Sequence, residues 1–320
     1  MFLLLVILLV LFLVFRKDYS TILASIKKIS VLDLLLLLGM GVGYQLLDAA
    51  ACFVLIRSRL PFLRYGQAVQ LTFLGVFGNV ATFSAGILPM QSLYLYRNGM
   101  QVGSGVGVLI LKYIFHKSTI FFYAAAMLAI EYGWLKTAIP EELKYLLPGF
   151  LVCAGIVAVL LLLCTWKKLQ RLLLYFIARL PDTGKWKEQK SIWTENLDAL
   201  YKEAGCAVQN KTCCMKIFLL NACKLFWLYS IPFLCLQILE IPGLTFTHVQ
   251  ALAAIMFLIV GVIPNVAGMG PAEFAFLLLF SPCIGRGFAS SSLILYRIST
   301  YFFPFLLSAG FVMKTGTLHD

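Results

Sequence analysis

Long stretches of apolar residues, separated by short polar stretches, run along most of the chain. Five of them reach the roughly 20 residues that an α-helix needs to cross about 30 Å of hydrocarbon. Because backbone groups in lipid must be paired within the chain, we predict that all five are membrane-spanning helices. They cover residues 31–56, 102–130, 146–166, 217–239 and 288–313.

Two further apolar stretches, residues 69–90 and 251–280, contain clusters of glycine and proline. Such clusters break helices, and broken backbone is tolerated at membrane depth only inside protein or beside water. We therefore predict a broken helix in each stretch. The first break contains Gly86, Pro89 and Gln91, and the second contains Pro264, Asn265, Gly268, Gly270, Pro271 and Glu273.

The two breaks occupy corresponding places in the two halves of the chain. Each is followed by a long apolar helix with a cation near its middle, Lys112 in the first half and Arg297 in the second. Pro89 and Pro271 are 182 residues apart, and the two cations are 185 apart. Counting the crossings gives the halves opposite orientations, which is typical of transporters built from inverted repeats. We predict an all-α membrane helix bundle with two inverted repeats, each containing a broken re-entrant helix hairpin.

A simpler alternative is that the glycines only allow helices to pack closely, as small residues do in many bundles. This accounts for Gly75 and Gly78 but not for proline-containing breaks in two corresponding places. The repeat divides the chain into an N-terminal anchor and loop, a first membrane repeat, a connecting span with a basic loop, and a second membrane repeat. These parts cover residues 1–30, 31–130, 131–216 and 217–320.

Composition and charge support a membrane protein and orient it. The chain is 61% hydrophobic and 12% charged, with a mean hydropathy of +0.92, whereas a soluble domain is about 45–50% apolar and about 25% charged. The net charge is +12, and residues 166–216 hold ten basic and five acidic residues. The positive-inside rule places this loop in the cytoplasm of a multi-pass cell-membrane protein. Because the basic residues flank membrane helices, we expect them to meet the anionic membrane surface rather than nucleic acid.

Ionisable side chains within apolar stretches are candidate substrate-binding groups, because they are expensive to bury in a membrane. Lys112 and His116 share a helix face, and Arg297 and Lys112 are suited to hold a lipid phosphate. The alternative for these cations is pairing with Glu273 or with helix-terminal carbonyls. Glu273 either caps the helix that starts at the preceding proline or contacts a cationic headgroup. Gln91 holds the corresponding position in the first break, which favours capping there.

The predicted substrate-binding residues come from both breaks and from the helices that follow them. The sequence shows no acid pair, nucleophile motif, phosphate loop or Asp-rich site, so we predict no catalytic residue, no metal and no cofactor. The glycine-rich stretch at residues 103–107 lacks the context of a dinucleotide loop and is interpreted as a helix entry or a packing surface. The full set is Asn79, Pro89, Gln91, Lys112, His116, Pro264, Asn265, Gly268, Gly270, Glu273 and Arg297.

Two motifs resemble a known family. Residues 79–112, which include Leu88-Pro89, resemble the first signature of the lysylphosphatidylglycerol synthase transmembrane-region family. Residues 263–273, followed by Tyr296-Arg297, resemble its second signature, a Pro-x-x-x-Gly-Gly-x-Gly-x-x-Glu pattern before a helix with arginine. The likeness covers residues 31–313. This sequence departs from the family in having Ala267-Gly268-Met269-Gly270 where a double glycine is frequent, and Gln91 where an acid is common.

The resemblance implies a function. The family includes the flippase half of the multiple peptide resistance factor proteins, which moves aminoacylated phosphatidylglycerol to the outer leaflet and thereby weakens attraction of cationic peptides, a form of antibiotic resistance. The synthase activity of those proteins lies in a separate soluble domain that uses aminoacyl-tRNA. We therefore expect a lipid flippase-like protein that translocates an anionic or aminoacylated phospholipid between leaflets and binds its headgroup.

Other functions remain open from the sequence. The chain could be a membrane component of phosphatidylglycerol lysyltransferase, which would make it part of an enzyme. It could also serve polyprenyl-phosphate glycolipid synthesis, beside a separate synthase or glycosyltransferase, or act only as a binding scaffold. The sequence leaves the lipid, the energy source and formation of a homo-oligomer undecided.

Overall fold

The computed structural model describes residues 29–82, 84–179, 185–262 and 270–315. In these ranges the chain forms α-helices and one π-helical segment, with no strand, so the predicted all-α class is confirmed there. The predicted N-terminal anchor lies almost wholly outside them. The elements are α1 (Val31–Arg57), α2 (Tyr65–Ala81), α3 (Ile87–Arg97), α4 (Val102–Ala138), α5 (Pro140–Thr165), α6 (Lys167–Ala178), α7 (Lys185–Gln209), α8 (Lys211–Ile238), α9 (Phe246–Val262), α10 (Pro271–Ile284), α11 (Arg286–Arg297), the π-helical segment Ile298–Phe302 and α12 (Phe303–Thr315).

Four of the described helical stretches are long and apolar enough to cross a membrane. They are α1, α4, α8 and the continuous stretch Arg286–Met313, which runs from α11 into α12. Each matches a predicted span, although α4 continues to Ala138 and α8 begins already at Lys211. The fifth predicted span, residues 146–166, falls in α5. Its described apolar part, Pro148–Val159, is shorter than a full span, so this crossing stays a prediction.

Helices α2 and α3 pack antiparallel and form a helical hairpin. Far from its tip, the Gln67 side-chain amide donates to Asn98 Oδ1 at 2.7 Å. Near the tip, a Cβ added to Gly78 would lie 2.9 Å from the Gly86 carbonyl oxygen, so the absence of a side chain permits this close approach. The chain turns back at the predicted first break. Helices α9 and α10 also contact each other, on either side of the second break.

Two buried apolar clusters hold the helices together, and α4 contributes to both. The second half of α4 packs with α8 to α11 around residues such as Phe276. The first half packs with α1, α2, α3 and α7 around residues such as Leu71. Ile114 and Ile120 of α4 belong to different clusters. The helix therefore changes neighbours close to Lys112 and His116, where the polar interior begins.

Helix α7, from the basic segment, lies along the first half of α4. A Cβ added to Gly107 would lie 3.0 Å from backbone atoms of Ala199, so the stretch at residues 103–107 is a packing surface, as predicted. Arg59, just after α1, donates from Nε to Glu203 Oε2 at 2.6 Å. This contact joins α7 to the segment between α1 and α2.

Candidate functional site

Three charged side chains from three helices meet in the interior. Asp48 of α1 accepts hydrogen bonds from Lys112 Nζ of α4 at 2.6 Å and from Lys224 Nζ of α8 at 2.9 Å, one on each carboxylate oxygen. The Lys224 side chain is 1% exposed and that of Asp48 is 15% exposed. Buried charges are costly unless they are paired and hydrogen-bonded, so these groups stabilise one another. The cluster nevertheless holds two lysines and one carboxylate, a formal excess of one positive charge.

Sequence reasoning found Lys112 but missed both of its companions. Asp48 and Lys224 each interrupt a long apolar stretch, which alone makes an ionisable residue a functional candidate. The sequence therefore carries a signal for both residues. The pairing itself depends on the packing of α1 against α8, between residues 176 positions apart.

A cavity of about 630 Å³ adjoins the cluster. Asp48, Lys112 and His116 line one side, and the hairpin of α2 and α3 lines another. Leu88 and Tyr113 also line it and are 43% and 50% exposed, so the cavity opens at an apolar part of the bundle surface. Further polar lining comes from Gln45, Thr72, Asn79, Ser84, Gln91 and Thr300.

Two buried polar atoms of the cavity-lining residues have no hydrogen-bond partner within the described parts of the chain. They are Thr72 Oγ1 and His116 Nδ1. Thr72 is only 3% exposed. Since buried polar groups are almost always hydrogen-bonded, two unsatisfied atoms at one cavity indicate a place for a polar ligand or for water.

The tip of the first hairpin is stabilised by local hydrogen bonds. Ser84 Oγ donates to Asn79 Oδ1 at 2.7 Å, and Ser84 has a φ of +73°, a strained conformation for a residue other than glycine. Pro89 lies in the first turn of α3, where a backbone N–H would have no partner within the helix. Pro89 is exposed and does not line the cavity.

Gln91 does not cap α3, so the capping role predicted for that position is wrong. Its side-chain amide donates instead to the Leu71 carbonyl oxygen at 2.9 Å, across the hairpin. The physical reason is the space left by Gly75, where an added Cβ would lie 2.4 Å from Gln91 Nε2. Gln91 therefore joins α2 to α3 and lines the cavity.

Glu273 and Arg297 form a second buried ion pair. Glu273 Oε1 accepts from Arg297 Nε at 2.6 Å, and Oε2 accepts from the Gly270 backbone N–H at 2.6 Å. The structure thus shows the capping contact predicted for Glu273 and the pairing alternative for Arg297. The Arg297 guanidinium lies 5.2 Å from the ring centroid of Tyr301, which lines the cavity. Arg297 is therefore one side chain behind the cavity wall.

The structure brings only some of the predicted residues together. Gly270 precedes α10 with a φ of +91°, a conformation that favours glycine. The second break otherwise falls outside the described residues, including Pro264, Asn265 and Gly268. Four predicted residues line the cavity: Asn79, Gln91, Lys112 and His116.

A family model described as Lysylphosphatidylglycerol synthase TM region matches residues 1–308. The chain belongs to this family. The match covers the hairpin of α2 and α3, the second break and the three-charge cluster, and it confirms the resemblance seen in the two break motifs. A comparison with curated proteins finds no match. Family membership and the apolar helices together indicate a membrane protein linked to lysylphosphatidylglycerol synthesis or flipping.

Proposed function

We propose that the protein translocates a phospholipid between the leaflets of the cell membrane, with the headgroup passing through the cavity beside Asp48. The observation that carries the proposal is a cavity among helices able to span a membrane, with Lys112 and several uncharged polar side chains in a largely apolar wall. A headgroup crossing hydrocarbon needs such an interior, because lipid tails offer it no hydrogen bonds. Lys112 and His116 contact the phosphate in this proposal, and Asn79 and Gln91 contact the rest of the headgroup.

The opening of the cavity suits a lipid. Leu88 and Tyr113 line it and present apolar surface outward. A headgroup can therefore enter sideways while its acyl chains stay in the bilayer. A soluble substrate would gain nothing from an apolar entrance.

The neighbours of each helix support inverted repeats. The first helices of the two halves, α1 and α8, pack against each other. Helix α2 of the first hairpin packs against α12, and α9 of the second hairpin packs against α4. The π-helical segment contacts α1, as α4 contacts α8. When each helix is replaced by its counterpart in the other half, the same contacts result, as expected for two repeats related by a pseudo-two-fold axis. In this proposal both hairpins are re-entrant.

The basic segment faces the cytoplasm in the proposed orientation. Helix α6 begins with Lys167, Lys168 and Arg171 and continues with apolar residues such as Phe176. A short helix of this composition suits the interface of an anionic leaflet. The first hairpin then enters from the cytoplasm and the second from outside.

Lipid exchange in liposomes tests the proposal. With acyl-labelled fluorescent phospholipid, dithionite bleaches only the outer leaflet, so translocation appears as bleaching beyond that of protein-free liposomes. We expect Lys112→Gln to slow this exchange, while leaving Asp48 paired with Lys224. Lys144→Gln is the matched control, because Lys144 is exposed and pairs with Glu141 away from the cavity. Absence of exchange with the unaltered protein would refute the proposal.

An enzymatic function is the second candidate, favoured by the word synthase in the family description. In that case the chain is a membrane component of phosphatidylglycerol lysyltransferase, or of polyprenyl-phosphate glycolipid synthesis with a separate synthase or glycosyltransferase as partner. Lipid extracts of cells that express this chain alone separate the candidates. New lysyl-lipid would support the enzyme, and an unchanged lipid profile with active exchange would support the flippase.

A further inference from the structure

The charges around the cavity favour one class of headgroup. We infer that the lipid carries a phosphate anion and no ammonium group, so that phosphatidylglycerol fits the site and its lysyl ester does not. This inference rests on the proposed function and narrows its substrate. It starts from the excess positive charge of the cluster of Asp48, Lys112 and Lys224.

In the part of the chain that the structure describes, a headgroup ammonium would find no carboxylate at the cavity that is not already bonded. Among the described residues, Asp48 is the one carboxylate that lines the cavity, and each of its oxygens already accepts from a lysine. Glu273 reaches the cavity only through Arg297 and Tyr301, and both of its oxygens are also bonded. A cationic headgroup would therefore add charge to an interior that is already positive, where the low dielectric strengthens repulsion.

The aromatic rings of the cavity are also poor partners for a headgroup ammonium. Ring faces can bind cations, and Tyr44, Tyr113 and Tyr301 line the cavity. Two of these rings already lie beside a cation: Lys117 Nζ is 5.4 Å from the Tyr113 centroid, and the Arg297 guanidinium is 5.2 Å from that of Tyr301. Lys117 brings further positive charge close to the cavity wall, whereas the charge of Arg297 is balanced by Glu273.

A phosphate, in contrast, meets several donors and balances the charge. A lysine ammonium has three N–H donors, and Asp48 accepts one from Lys112. Lys112 therefore keeps N–H donors for a phosphate. The unpartnered Thr72 hydroxyl can also donate to the phosphate, and so can the unpartnered His116 Nδ1 in the tautomer that carries its proton there. One phosphate charge cancels the formal excess of the cluster, and the phosphate oxygens are acceptors of the kind that these donors lack.

The test compares two lipids with identical labelled acyl chains, phosphatidylglycerol and its lysyl ester, in parallel liposomes. We expect phosphatidylglycerol to exchange faster by about tenfold or more, the ratio that corresponds to one modest unfavourable charge contact. Thr72→Val keeps the volume and charge of the site and should slow phosphatidylglycerol exchange. Ser92→Ala is its matched control, because Ser92 Oγ is also buried and unpartnered but Ser92 does not line the cavity.

The outcomes distinguish failure of the inferred headgroup preference from failure of the proposed flippase function. Exchange of the lysyl ester at an equal or higher rate overturns the inference and leaves the flippase intact. If neither lipid moves, the flippase is refuted, and native mass spectrometry of the protein with both lipids decides selectivity at the site. Preferential retention of phosphatidylglycerol that Thr72→Val weakens would then support the inference, and preferential retention of the lysyl ester would overturn it.

Discussion

At the scale of single residues, Asp48 is the one carboxylate of the three-charge cluster. Asp48 accepts hydrogen bonds from Lys112 and Lys224, and Lys224 is almost wholly inaccessible to solvent. Because removing one partner of a buried ion pair leaves an uncompensated charge, we predict that Asp48→Asn destabilises the protein by about 3–5 kcal/mol. Thermal unfolding in detergent, followed by circular dichroism, measures this effect.

Two further variants serve as a control for Asp48→Asn and as a rescue of it. Glu141→Gln removes one partner of an exposed ion pair with Lys144, so a change within about 0.5 kcal/mol is expected. Adding Lys224→Met to Asp48→Asn removes the stranded ammonium and should recover part of the loss. An Asp48→Asn protein as stable as the unaltered one would mean that the cluster does not form.

At the scale of elements, the π-helical segment Ile298–Phe302 fits closely against α1. Ser299 Oγ donates to the Leu37 carbonyl oxygen at 2.5 Å, and a Cβ added to Gly41 would lie 2.0 Å from the Ser299 carbonyl oxygen. The segment follows Arg297 directly and contains Tyr301, which lines the cavity. Such π-helical turns are rare and often occur at functional sites.

Two glycines of α1 give a matched test of this contact. Gly41→Ala must displace backbone, so we predict destabilisation by about 1–3 kcal/mol. A Cβ at Gly39 would meet no atom within 4 Å, so Gly39→Ala should be neutral or stabilise by up to about 1 kcal/mol through helix propensity. Unfolding midpoints of the two variants compare them directly, and equal midpoints would contradict the close contact.

Sequence predicted the elements better than the contacts between them. The first break was predictable because glycine and proline act locally, through φ and through a missing N–H. The Gln91 bond to Leu71 was not, since it depends on how α3 packs on α2. The partner of Arg297 stayed an open alternative for the same reason, and the π-helical segment has no distinct pattern in its residues.

At the scale of the whole molecule, orientation in the membrane can be tested by chemical labelling. In a protein with its nine native cysteines replaced, we predict that Glu141→Cys reacts with an impermeant maleimide on intact cells. Gln189→Cys, in α7, should react only after lysis, because the basic segment is expected inside. Both side chains are exposed, so access through the membrane decides the result. Labelling of the α7 site on intact cells would reverse the proposed orientation.

The bonds of Asp48 also bear on how the two halves can move. Helix α4 belongs to the first half and α8 to the second, and the same carboxylate holds a lysine from each at 2.6 Å and 2.9 Å. In the proposed flippase, rocking of one half against the other, the usual motion of repeat-built transporters, must either break the bond between Asp48 and Lys224 or pivot about it, because Asp48 and Lys112 both belong to the first half. A pivot at Asp48 would place the hinge of the motion beside the cavity, so that the proposed headgroup site and the hinge would lie next to each other.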